Sequence, residues 1–183
     1  MRLFYDTEFL ESGPDEPIGL ISIGMARATD WHYYAVVKDD DLITRAAANP
    51  WLRANVLPSL PVWLADDSDD WNWDANHPDF RHVKRRKDIA EEIGDFILRY
   101  PDPELWADWC AYDHVALCQL FGRMIDLPQG VPMWTHEFRQ VVERAGNPEL
   151  PALNGLRAHN ALDDALELKM RFEWLAEKFP AAL

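Results

Sequence analysis

The sequence predicts an α/β protein in which a mixed sheet, antiparallel through its first three strands, is flanked by helices. Three observations predict it. Segments dense in apolar and aromatic residues crowd the first 37 positions; helical spacing dominates later; and a further strand-like run, 104–109, interrupts the helical half. With 183 residues and 48% apolar content, the chain suits one domain, 1–183, and has ample material for a core.

Residues 2–9 (RLFYDTEF) have the density of an inner strand, and ESGPDEP after them is a turn. Residues 18–28 and 31–37 read as two more strands around a Thr29-Asp30 turn. Residues 40–48 and 50–57 are predicted helices, the second opened by Pro50 and closed by Pro58. Residues 61–80 mix Trp63, Trp71 and Trp73 with six aspartates and read as an exposed loop or insertion, its tryptophans packed on the domain's own surface. Helical spacing returns over 85–99 through Ile89, Ile93, Phe96 and Ile97. After the 104–109 strand, helices are expected over 113–121 and 135–145, a loop over 147–157, and a closing helix over 161–179.

Bulk properties exclude several classes. The longest uncharged apolar stretch near the front, IGLISIGMA, is too short to span a bilayer, so no membrane role is expected. Early acidic residues argue against a signal peptide, and Cys110 and Cys118 lack metal-ligand spacing; both fit reduced thiols in a cytoplasmic protein. The net charge of −14 disfavours a long duplex as ligand. Five of the 18 Lys/Arg residues nevertheless fall between Arg81 and Lys87, which leaves a short strand or chain end as a ligand and Arg85 as a candidate phosphate contact.

Chemistry points to five residues. Asp6 and Glu8 share a strand face, because strand side chains alternate with period two, and start about 7 Å apart. Asp113 heads the apolar face of its helix, with Leu117, Leu120 and Met124 within about 40° of it. On the last helix, Asp164 lies about 60° from the centre of the apolar stripe and Asp163 about 160° away, so Asp164 faces a site and Asp163 faces water. Asn160 is the expected N-cap, and His159 sits on the loop entering the helix. Carboxylates beside apolar segments repel one another unless a cation joins them, and an oxygen-ligated divalent metal implies chemistry on phosphate.

At these residues the sequence resembles the DEDD superfamily of 3′→5′ exonucleases. Their three motifs match Asp6-Thr7-Glu8, Tyr112-Asp113 and His159 to Asp164. The histidine places the resemblance in the branch that holds ribonuclease T and oligoribonuclease. FYDTEF, AYDHVALCQL and the final H-x-A-L-x-D-A are more closely similar to the small actinobacterial 3′-exoribonuclease AS family. The resemblance implies a ribonuclease H-like mixed sheet in which parallel strands follow the antiparallel three. It also implies two Mg²⁺ ions (or Mn²⁺) held by Asp6, Glu8, Asp113 and Asp164, with Glu8 and His159 serving catalysis and His159 accepting the proton of the attacking water. Phe9 would line the base pocket. The substrate would be a single-stranded RNA 3′ end, adenylate-rich tails being favoured, the products nucleoside 5′-monophosphates, and the assembly a homodimer. Many relatives have Asn where this chain has Trp109, and the 61–80 segment lies outside the motifs. The motifs leave open a 3′→5′ DNA exonuclease of the same chemistry, an aspartyl phosphatase, or a catalytically dead RNA- or nucleotide-binding module.

Overall fold

The computed structural model describes residues 1–29 and 31–183. In chain order the strands are β1 (Arg2–Leu10), β2 (Gly19–Arg27), β3 (His32–Val37), β4 (Val62–Leu64), β5 (Trp71–Trp73), β6 (Val83–Lys84), β7 (Glu104–Ala107) and β8 (His136–Glu137). The α-helices are α1 (Asp40–Ala47), α2 (Pro50–Asn55), α3 (Arg86–Leu98), α4 (Ala111–Phe121), α5 (Phe138–Arg144) and α6 (Ala161–Lys178). Six strands form one sheet in the order β6-β3-β2-β1-β7-β8, antiparallel across β1–β2–β3 and parallel at its β7, β8 and β6 pairings. This is the expected mixed α/β sheet, and it is consistent with a ribonuclease H-like fold. No helix among the described residues is long and apolar enough to cross a membrane.

Helices cover both faces of the sheet, which is why its central strands are buried almost throughout. Leu3, Tyr5, Ile23 and Met25 pack with Ile89, Ile93 and Leu117 from α3 and α4. On the opposite face Ile21, Tyr34 and Val36 meet α1 and α2, while Phe4 and Trp106 meet Phe138 of α5 and Phe172 of α6. Fully burying one such side chain stabilises by roughly 1.5–3 kcal/mol, so these three clusters outweigh any single cap or ion pair.

Two features aim the sheet at a site. A β-bulge interrupts the β1–β2 register between Glu8 and Phe9, twisting the end of β1 that carries the acidic pair. Gly24, paired with Asp6, lets the first turn of α6 lie directly on β2; a Cβ there would sit 2.3 Å from backbone atoms of Ala161 and Leu162.

Several details differ from expectation. The 61–80 segment, read from the sequence as a loop or insertion, holds the β4–β5 hairpin and the start of a 3₁₀ turn, Pro78–His82. Its Trp71 and Trp73 indoles donate to Thr44 and Asp40 of α1, while Trp63 stays exposed. The 135–145 helix begins only at Phe138, because His136 and Glu137 pair with β7. Asp30 of the expected Thr29-Asp30 turn lies outside the described residues.

Candidate active site

One end of the central strands opens into a cavity of about 480 Å³, lined among others by Asp6, Glu8, Phe9, Asp113, His159 and Asp164. Single donor atoms from Glu8, His159 and Asp164 lie within 4.8 Å of one another. Asp6 and Asp113 line the same cavity beside this trio but are not members of it. Arg85 is not brought there: its guanidinium pairs with Asp88, through Nε to Oδ2 at 2.7 Å and Nη2 to Oδ1 at 2.9 Å, at the start of α3. Any phosphate contact from Arg85 would therefore lie outside this cavity.

Each ligand candidate is held by its own element. Asp6 and Glu8 project from β1 toward α6, as the period of the strand requires. Asp113 reaches over from α4 on the other face, where Thr7 points. The Thr7 backbone N–H and hydroxyl both donate to Asp113 Oδ1, at 2.9 and 2.6 Å. Asp113 therefore does not cap its helix. The helix start is instead held by Glu137, whose carboxylate accepts from the N–H groups of Trp109 and Cys110 at 3.0 and 2.9 Å.

Asn160 caps α6 as expected, accepting from the Asp163 N–H, and its buried amide donates to the Tyr34 hydroxyl at 3.1 Å. Such a cap is worth about 1 kcal/mol. Asp163 pairs with Arg157 at 2.8 Å and its side chain is only 13% exposed, so it is covered by that guanidinium rather than facing water as expected. Asp164 turns to the cavity, as the helical wheel predicts. His159 precedes the cap with φ +57°, a left-handed conformation. Ser59 Oγ donates to its carbonyl at 2.8 Å, and the Trp51 ring stands edge-on to its imidazole at 4.9 Å.

The electrostatics are those of crowded acids. Burial pushes the Asp6 carboxyl well above the usual carboxylate range, and Asp113, Glu8 and Asp164 add to the effect. Burial, then Asp164 and Asp113, push Glu8 up to about 8. Asp113 rises to about 6 through burial, held back by the two Thr7 donors. Asp164 also reaches about 6, through burial and the neighbouring Glu167 and Asp163.

Sequence reasoning missed Asp108, Glu167, Trp51 and Arg171 in the cavity lining. Glu167 was within reach of the helical wheel, three residues beyond Asp164; Asp108 and Trp51 carried no such periodic signal. Among the described residues lining the cavity Arg171 is the only Lys or Arg, and it pairs with Glu167 at 2.9 Å. Asp108 pairs with Arg139 at 2.7 Å through Oδ2, while its buried Oδ1 has no hydrogen-bond partner. Converging carboxylate oxygens, one imidazole and too little positive charge to balance them form a donor set suited to divalent cations of the Mg²⁺ or Mn²⁺ type.

No protein-family model matches the chain. Two curated relatives from two strains of Mycobacterium tuberculosis, each named a 3′-5′ exoribonuclease, are 40% identical over 174 residues, covering 94% of this chain and 91% of theirs. At this identity and coverage, the chain belongs to the 3′-5′ exoribonuclease family represented by these mycobacterial proteins.

Proposed function

We propose that this protein is a metal-dependent 3′→5′ exoribonuclease of the histidine branch of the DEDD superfamily, of the exoribonuclease AS type. It hydrolyses single-stranded RNA from the 3′ end and releases nucleoside 5′-monophosphates. The observation that carries the reading is the convergence of Glu8, His159 and Asp164 beside Asp6 and Asp113 in one cavity.

Asp6, Glu8 and Asp164 would hold one Mg²⁺, and Asp6 with Asp113 a second. Bound ions of this kind polarise a phosphate and lower the pKa of an attacking water. His159 would accept the proton of the attacking water as general base. The Ser59 hydroxyl and the Trp51 ring hold the His159 backbone and ring in place for that step, and Asn160 in turn donates to the Ser59 carbonyl. Thr7 keeps Asp113 oriented and favours its charged form. Phe9, stacked on Tyr112 with ring centroids 5.7 Å apart, supplies an aromatic wall for the terminal base.

The same reading takes residues 1–183 as one exonuclease domain, acting in the cytoplasm as a homodimer and favouring adenylate-rich tails. Incubating the protein with RNA homopolymers and matched DNA, with Mg²⁺ or with EDTA, tests it. Stepwise release of 5′-monophosphates from RNA in Mg²⁺ alone is expected. Internal cleavage, release of 3′-monophosphates, or undiminished activity in EDTA would refute it, and equal cleavage of DNA would remove the RNA preference.

A further inference from the structure

Trp109 stands out beside the acidic cavity. It lines the cavity yet remains 71% exposed, unusual for so large an aromatic ring. Its φ is +59°, a backbone conformation that bulky residues rarely adopt. The conformation is over-determined: Glu137 accepts from the N–H groups of both Trp109 and Cys110. The Arg139 guanidinium lies 5.4 Å from the centre of the indole and is itself tied to Asp108. A costly backbone geometry, fixed by a carboxylate clamp, thus presents an indole face to solvent at the mouth of the site.

The charge balance says what that face meets. Six carboxylates and one guanidinium, already paired, line the cavity. In the basic run, Arg85 is paired with Asp88 and Lys84 with Glu92. The guanidinium of the cavity lining, held by Glu167, therefore contributes little to holding an RNA strand there. Beside the phosphate contact that bound ions would supply, base stacking on aromatic rings is a source of affinity that tolerates net negative charge on the protein. Phe9 and Tyr112 occupy the cavity wall, so a strand whose end lies at the carboxylates must leave past the exposed rim.

We infer that Trp109 is a stacking platform for the base next to the 3′-terminal one, so that the site recognises at least two nucleotides. This rests on the exoribonuclease reading above. Removing one stacked base costs roughly 5- to 150-fold in affinity.

The test measures binding of fluorescein-labelled penta-adenylate and of adenosine 5′-monophosphate in Mg²⁺, in a His159→Ala background that suppresses turnover. Trp109→Gly should weaken penta-adenylate binding about 5- to 150-fold and monophosphate binding less than about 3-fold. Trp109→Phe should retain most of the affinity. Glycine accepts positive φ, so Trp109→Gly should melt no lower than its parent, separating lost contact from lost fold. Unchanged penta-adenylate affinity, or an equal loss for both ligands, would overturn the inference. So would loss of self-association with RNA affinity intact, which would assign the indole to a second copy of the chain. A parent that binds no RNA would instead sink the exoribonuclease reading itself.

Discussion

Gly24 of β2 lies against the backbone of Ala161, the first residue of α6, so closely that a Cβ on Gly24 would come within 2.3 Å of the Ala161 carbonyl. Because Gly24 also pairs with Asp6, this one contact sets the distance between the strand acid and the helix that carries Asp164.

Gly24→Ala should therefore do more than strain the core. The neighbouring atoms are backbone and cannot swing aside, so α6 must lift from the sheet. A stability loss of at least about 1–3 kcal/mol is expected, together with loss of divalent-cation binding. Chemical denaturation and calorimetric titration check both; a variant with wild-type stability and cation affinity would mean the contact sets nothing.

Thr7→Val removes the hydroxyl donor to Asp113 while keeping the backbone N–H donor. The loss should be about 1.5–3 kcal/mol of stability, since the acceptor is charged, and about 10- to 100-fold in cation affinity. Thr7→Ser, which keeps the hydroxyl, should restore most of the affinity. Failure of serine to rescue would point to packing rather than the hydrogen bond.

The adjacent aspartates of α6 should behave oppositely. Asp164→Asn should lower turnover more than a thousandfold, a size typical of lost charge stabilisation in a transition state, about 4 kcal/mol. Asp163→Asn loses a partner of Arg157 and should retain most activity. Comparable losses in both variants would contradict the assignment by helical face.

Metal-free protein should lose stability as pH rises from about 5 to about 8. Asp113 and Asp164 at about 6, and Glu8 at about 8, all lie above their ordinary values. The folded state thus binds more protons than the unfolded one across this window, and ∂ΔG/∂pH is negative. Their favourable contribution is complete below the unfolded carboxylate range and is lost through the folded values. Adding Mg²⁺ at about pH 8 should restore the melting temperature, by about 2.7 kcal/mol at a hundredfold excess over Kd. Thermal melts in EDTA that stay flat or rise across the window would contradict the crowding of these acids.

Long periodic segments made the sheet and the last helix legible in the sequence. The 161–179 stripe located α6 (Ala161–Lys178) and sorted Asp164 from Asp163, because eighteen residues sample the helical period many times. The two-residue strands β6 and β8 offered no period to read, and their existence depends on edges supplied by β3 and β7. The β4–β5 hairpin was hidden because its strands alternate half-buried with exposed tryptophan and asparagine and are stabilised by bonds to α1. The pairing of Arg85 was not legible for a related reason: its guanidinium meets Asp88 three residues away, a local contact that a count of positive charge ignores. The Glu137 clamp on Trp109 joins residues 28 positions apart and carries no local signal at all.

Anomalous scattering from Mn²⁺-soaked crystals tests the central claim most directly. Two ions, about 4 Å apart and both touching Asp6, with Glu8 and Asp164 on one and Asp113 beside the other, are predicted. A cavity that stays empty of Mn²⁺ at saturating concentration, or an ion bound by other residues, would contradict it.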